Sequence, residues 1–505
     1  MTLSPKRTHF IAFTAIFAAL AMFVFWGTWS TDFAPIMPDH PITWPEHYLI
    51  RLGRWFGNFC HDGKFEPLEF FALVGSPYWW QEFKYAFCLY LSGLGLAYFL
   101  LGRGLSPLAS YGGGLMLAFS GYWCTLFSAG HYGWFQLIAY AIFAFGLIDR
   151  KRYLLLGAVV AWGSFHQPDL WLLFTVLTAA YFIFRAFETR EFDIKGVLIA
   201  AAVFLLIGAP SFYSAIVVDL AGRNQQIAES VGATTEPQAG HSKEPPISNE
   251  ARWIFVTNWS MPPEDTLELA IPRIHGDTSC KYTQHYAKRA GKDTTAYTGR
   301  LGCPKQYESQ FKGKSCPANY RQHSLYVGFV TCILALIGIA LNWRKPVVIF
   351  FAAAALIAYL CSLGRYFEPL YRVIYMLPFG DYLRAPVKWH HLTEFCIAVL
   401  AAFGVDGLLR AAFSRARVSA LPKIALAVII LAGVCDLARV DAKYCAPVPI
   451  VGMRYREAHN PESNKVPPVD FKVLPFVLGL ISVVTTAGVA YFTIKSACNS
   501  SRNMI

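Results

Sequence analysis

Long apolar runs, broken by short charged segments and by glycine- and proline-bearing ones, dominate this chain. A helix rises 1.5 Å per residue, so about 20 apolar residues are needed to cross a bilayer core of roughly 30 Å. The pattern predicts spans over 10–29, 85–102, 106–127, 133–148, 153–165, 170–184, 196–217, 324–342, 346–364, 389–409, 421–436 and 473–494, about twelve in all. The first follows Lys6 and Arg7 and is closed by Trp26 and Trp29. It lacks a small-residue cleavage site, so it reads as a retained helix and not a signal peptide. The fold class is an all-α polytopic membrane protein.

Lysine and arginine in short loops set the orientation. With the N-terminus inside, the inner segments carry Lys6 and Arg7, Arg103, Arg150 to Arg152, Arg185 with Arg190 and Lys195, Arg344 and Lys345, Arg410 to Lys423, and Lys495 with Arg502. Every inner segment is then basic, while the outer turns near 128–132 and 166–169 carry no Lys or Arg. Both termini are expected in the cytoplasm of a bacterium, with the chain in its cytoplasmic membrane. The two halves of 153–184 are short, and basic clusters flank both ends. A hairpin tipped by His166-Gln167-Pro168-Asp169 fits better than one helix kinked at Pro168, with the tip in a water-filled depression.

Three parts follow: an N-terminal membrane module, 1–217, with an outer loop at 30–84; an extracytoplasmic loop domain, 218–323; and a C-terminal membrane module, 324–505. Within the first loop, Tyr48, Leu49, Leu52, Trp55 and Phe56 recur at helical spacing with Arg51 and Arg54 opposite. That is an amphipathic helix for a membrane surface or for the wall of a groove.

Composition agrees with the pattern. Of 505 residues, 55% are hydrophobic and 15% charged, against roughly 25% charged in soluble domains. That excludes a soluble globule, a disordered chain and a small disulfide scaffold. The net charge is +12, but no basic run reaches five residues, so it reflects inner-loop charge and not a nucleic-acid partner. If the outer compartment is oxidising, the pair Cys303–Cys316 is the first candidate bridge, with Cys60, Cys280 and Cys445 as rivals. The remaining cysteines lie in apolar spans and read as inert core residues.

No P-loop, GxSxG, HExxH or Rossmann glycine pattern is present. The informative groups are therefore ionisable residues at the outer ends of spans, where their placement is costly and often functional. Asp32 follows the first span closely, with Asp39 and His40 behind it. A carboxylate there can take a proton from an acceptor hydroxyl as general base, or hold a divalent cation such as Mg or Mn; the alternative is a solvated loop acid. Asp62, next to His61, is a weaker candidate of the same kind. His131 occupies one outer tip, and His166, Gln167 and Asp169 the next. Histidine there suits proton transfer or phosphate binding, or else interfacial hydrogen bonding. Arg384 and Lys388 flank Pro386 at the expected start of a helix, where backbone N–H groups favour a phosphate; lipid headgroups are the competing guest.

Residues 376–391, Met-Leu-Pro-Phe-Gly-Asp-Tyr-Leu-Arg-Ala-Pro-Val-Lys-Trp-His-His, precede a span ending Gly404-Val405-Asp406-Gly407. Together with Gly130-His131, the 166–168 tip and Asn258-Trp259-Ser260-Met261-Pro262-Pro263-Glu264, they resemble the bacterial YfhO-type membrane proteins. That family is similar to the GT-C superfamily of polytopic glycosyltransferases. The resemblance covers most of the chain from about 25 to 410, in order. It implies a GT-C-like fold and transfer of a sugar from a polyprenyl-phosphate-linked donor to an envelope glycan, lipid or protein on the outer face. Such enzymes place an essential acid in the first outer loop, and Asp32 matches it. The family's tip and Arg/Lys motifs fall on His131, His166, Arg384 and Lys388. The paired-acid motif of some relatives is absent around Asp32. Two other classes stay open: a lipid-linked glycan transporter, which needs charges deep in several spans, and a non-catalytic envelope assembly factor acting through 218–323.

Overall fold

The computed structural model describes residues 5–25, 59, 63–64, 67–68, 71, 77–129, 132–215, 249–276, 297–301, 323–377, 380, 383–413, 421–445 and 472–502. The described residues contain helices, turns and coil, with no strand. Among the described residues seven helices are long and apolar enough to cross a membrane, or eight if Pro346–Ser362 and Gly364–Met376, bent by 110°, form one broken span. The bilayer environment expected from hydropathy is thus supported, while twelve complete crossings are not shown. The difference has a physical cause: several apolar runs are interrupted before they reach span length.

In chain order, α1 is Pro5–Val24, α2 Pro77–Gly102, α3 Pro107–Ala118, α4 Gly121–Thr125 and α5 Tyr132–Asp149. Next come α6 Tyr153–Gly163, α7 Pro168–Thr189, α8 Ile194–Ser214 and α9 Asn249–Thr257. The second half holds α10 Phe329–Asn342, α11 Pro346–Ser362, α12 Glu368–Met376, α13 His390–Phe413, α14 Leu421–Cys445 and α15 Val473–Arg502. The run expected to span at 106–127 is two helices, α3 and α4, parted at Phe119 and Ser120. Helix α6 has 11 residues, about 16 Å of rise, roughly half a bilayer core. The chain then turns back: the Trp171 indole N–H donates to Val160 O at 2.9 Å, a contact that a continuous helix would forbid. The hairpin expected around 166–169 is present.

Helix α13 is the axis of the bundle. In its apolar stretch 89% of residues are buried, against 22% for α1 and 33% for α14. It packs on α10, α11 and α3, while α2 packs on α3 and α5, and α15 closes against α8. The α10–α13 crossing is made by glycines. A Cβ on Gly404 would stand 2.0 Å from Leu334 O, and one on Gly338 2.0 Å from Leu400 O. Close backbone approach of this kind drives helix association where lipid offers no hydrophobic incentive. Asn342 secures the crossing, its side-chain amide donating to Phe403 O at 3.1 Å and Gly338 O at 3.2 Å.

Helix α12 leaves α11 at a steep angle after Gly364 and buries Tyr371 while exposing Val373, Met376 and Leu377. That is the arrangement of a helix lying in an interface plane.

Gly404→Val should force α10 and α13 apart. Overpacking a tight contact costs about 1–3 kcal/mol or more, so the variant should melt several degrees below wild type in detergent, while Gly488→Val, at a glycine with open space around it, should match wild type.

Candidate functional site

The best-defined polar constellation lies where the 166–169 tip meets the turn that opens α13. Pro168 occupies the first turn of α7, and Asp169 sits beside it, where the helix dipole favours an acid. Asp169 Oδ1 accepts from Leu170 N at 2.8 Å. Its other oxygen takes the Lys388 ammonium in an ion pair. Both side chains are largely buried, at 10% exposure for Lys388 and 13% for Asp169. The ammonium also lies 5.2 Å from the Trp134 ring centroid, an added attraction for a cation.

Trp134 belongs to the first turn of α5, so three elements converge on Lys388. The tips touch behind it: a Cβ on Gly133 would meet His166 Cβ at 3.4 Å. The His166 ring stacks on Tyr140 at 6.2 Å between centroids. Gln167 is half-buried and extended before α7, with its carbonyl accepting from Trp171 N at 2.9 Å. Arg384 is exposed, its guanidinium 4.5 Å from the Phe255 ring centroid.

The 384–388 turn is held in a costly shape. Ala385 has φ 60°, a left-handed conformation that costs a non-glycine residue about 1–2 kcal/mol. Two bonds to the 256–259 segment hold it: Ala385 N to Val256 O at 3.1 Å and Val387 N to Trp259 O at 3.0 Å. Trp259 is itself left-handed, with φ 61°. Strain of this kind concentrates at functional sites. The Trp259-Ser260-Met261 segment also fixes the bend after α11. Met261 N donates to Ser362 O at 2.9 Å, Arg365 N donates to Ser260 Oγ at 3.1 Å, and a Cβ on Gly364 would collide with Ser260 Oγ at 2.2 Å. The 258–264 motif is therefore the bracket that holds the Arg384–Lys388 turn and the α11–α12 bend together.

Downstream of that bracket, Glu264 on the 3-10 turn Pro263–Leu269 forks onto Arg300, with contacts of 2.7 and 2.8 Å. The Arg300 hydrogen bond holds this carboxyl below the ordinary glutamate range. His275 Nε2 lies 3.2 Å from Glu264 O and 3.6 Å from Asp265 Oδ1. Between the start of α9 and α12 is a cavity of about 630 Å³ lined by Trp253, Tyr366, Tyr375, Arg365, Glu250 and Glu368 among others. Its size is that of a small-molecule pocket. The Arg372 guanidinium stiffens one wall, 4.0 Å from the Trp253 ring centroid and 2.6 Å from Glu368.

Of the residues singled out in the sequence, the structure pairs Asp169 with Lys388; His166 and Gln167 share the tip with Asp169, and Arg384 shares the turn with Lys388. Asp32, Asp39 and His131 lie outside the described residues, as do the 45–58 amphipathic stretch and Cys60, Cys280, Cys303 and Cys316. Among the described residues no group of three His, Cys, Asp or Glu could hold a metal ion. Sequence reasoning passed over His391, which stacks on Tyr122 at 4.4 Å and meets Trp134 at 5.1 Å. It also passed over Glu268, buried in 263–269. For both, the available signal was an ionisable residue next to an apolar run.

Removing either partner of the Lys388–Asp169 pair strands a buried charge. Lys388→Met and Asp169→Leu should each cost about 3 kcal/mol, and the double variant should recover most of the loss; thermal unfolding of the four proteins in one detergent measures this. The Glu264–Arg300 pair gives a pH signature. A carboxyl lowered in the folded state stabilises above its unfolded value of about 4.3, and that contribution vanishes as pH falls through the lowered value. Both side chains are about one-third exposed, so the effect should stay below about 1 kcal/mol. Melting curves between pH 7 and pH 3 should show wild type losing slightly more stability than Glu264→Gln.

No family model, no curated protein and no solved structure matches the chain, so the functional reading stands on this geometry and on the motifs themselves.

Proposed function

We propose that the protein is a membrane glycosyltransferase that moves a sugar from a polyprenyl-phosphate-linked donor to a cell-envelope acceptor. The observation that carries this reading is the convergence of the 166–169 tip and the 384–388 turn through the Lys388–Asp169 pair. It joins two motifs singled out separately and leaves Arg384 exposed beside them.

The chemistry divides as follows. The acceptor hydroxyl oxygen attacks the anomeric carbon of the donor, and the bond from that carbon to the phosphate oxygen breaks. Asp32 takes the hydroxyl proton as general base. Negative charge grows on the departing polyprenyl phosphate, and Arg384 meets it with a planar fork of donors. Lys388 is already committed to Asp169, so its role is to hold the turn that presents Arg384. The cavity between the start of α9 and α12 offers room for the acceptor.

Asp441 supports a second reading, that of a lipid-linked glycan transporter. It is a fully buried acid one turn from the end of α14, and a buried acid in a span-length helix is a feature of translocation pathways.

The test uses purified protein, membrane lipid extract carrying radiolabelled polyprenyl-phosphate sugars, and an envelope fraction as acceptor. Wild type should transfer label, Asp32→Asn should not, and Arg384→Ala should lose about 10²–10³ in kcat. Donor binding by wild type without transfer would reject the enzyme and favour the transporter.

A further inference from the structure

Two buried thiols meet where α4 faces the end of α14. Cys124 Sγ and Cys445 Sγ are 3.9 Å apart, although 321 positions separate them in the chain. The Cys445 thiol points at the Cys124 carbonyl oxygen, 3.4 Å away, and neither residue has any exposed surface. Asp441, one helical turn before Cys445, lies beside Cys124.

We infer that Cys124 and Cys445 form a disulfide in the mature protein. Three observations carry this. The sulfurs are in van der Waals contact at 3.9 Å, and closing to about 2.04 Å forms the bond. The contact joins elements from the two halves of the chain, so it is a product of the tertiary fold. The charge pattern, with Arg410 to Lys423 inside, puts the end of α14 on the outer side of the membrane, where disulfides form and persist.

The reaction is thiol–disulfide exchange with a disulfide-bearing oxidase of that compartment. The Cys445 thiolate attacks the oxidase disulfide, forming a mixed disulfide and releasing one oxidase thiol. The Cys124 thiolate then attacks the Cys445 sulfur, forming the internal bond and releasing the second oxidase thiol. The two electrons from the chain's thiols end on the oxidase, which leaves as a dithiol. Both sulfurs are enclosed in the packed protein, so exchange takes place before α14 docks. Once closed, the bond is shielded from reductants until the protein unfolds.

The bond would staple α4 to α14. Helix α4 carries Tyr122 and Trp123, which pack around His391 beneath the Lys388 turn, so the staple holds the floor of the candidate site. The inference does not depend on glycosyl transfer.

The experiment is a thiol map of the full-length protein purified from envelopes without reductant. The protein is unfolded in SDS with N-ethylmaleimide, digested and analysed by mass spectrometry. The expected result is one cross-linked species joining the peptides that hold residues 124 and 445, two hydrogens lighter than their sum and free of maleimide. Prior reduction should split it and leave both cysteines labelled. Cys445→Ser should expose Cys124 to maleimide, and the reverse variant should expose Cys445. Full labelling of both without reductant, or a link from either to another cysteine, would overturn the inference. As a second readout, protein unfolded and refolded in reductant should melt several degrees lower than the untreated protein, and the double Ser variant should show no such difference; equal melting of treated and untreated wild type would also overturn it.

Discussion

Everything in this bundle depends on satisfying backbone polar groups where helices stop inside an apolar environment. Water is not there to do it, so each break needs an internal partner. The break at Phe119 and Ser120 is met by Glu394, whose Oε1 accepts from Ser120 Oγ at 2.7 Å and Tyr122 N at 3.0 Å. A carboxylate from the central helix thus caps a five-residue helix that could not stand alone. The extended segment before α10 is met in the same way. Gly121 N donates to Tyr326 O at 2.7 Å, Ser324 N to Thr125 Oγ1 at 2.8 Å, and Leu325 N to Glu268 at 3.2 Å. His390 closes the circuit 3.3 Å from Leu325 O. Asp406 repeats the device at the other end of α13, accepting from Ser106 N at 2.9 Å where α3 begins. Glu394 and Asp406 are thus caps for helix starts.

That network explains why the 384–388 turn can hold an unfavourable shape. Helix α13 is pinned at Glu394 and Asp406 and by the glycine crossing with α10, so its N-terminal extension has a fixed base. The 256–261 segment clamps the turn from outside. Between these anchors Ala385 stays left-handed, Arg384 rests on the Phe255 ring and Lys388 pairs with Asp169. A flexible turn would let Lys388 follow bulk water; a clamped one delivers it to Asp169 on a different helix.

The sequence was informative where one residue property decides the outcome. Runs of apolar residues located the helices, and the exposed Pro168 and its neighbours located the tip, because a hydrophilic turn between two apolar runs has few alternatives. It was uninformative where the outcome depends on a distant partner. Within 106–127 only Ser120-Gly121 hints at the break, and the group that stabilises it, Glu394, lies far along the chain. Likewise Cys124 read as an inert core residue. The 258–264 segment read as a motif without a task, since its task is to hold 362–365 and 385–387, two segments remote from it in sequence. Within the candidate site, the residue types at 166, 169, 384 and 388 were legible. The pairing of Lys388 with Asp169 was not, because it depends on how two helices pack.

That pairing separates two cations that the sequence presents as equivalents. A buried ammonium already neutralised by a carboxylate has little left to offer a phosphate, since a second anion would have to compete with one fixed 219 positions away and held by the fold. An exposed guanidinium resting on an aromatic ring keeps its donors for a guest while its stem and face are held in place. The geometry therefore assigns positioning to Lys388 and anion contact to Arg384. The left-handed Ala385 between them is held by its bond to Val256 O, so the short segment that carries both cations keeps one shape.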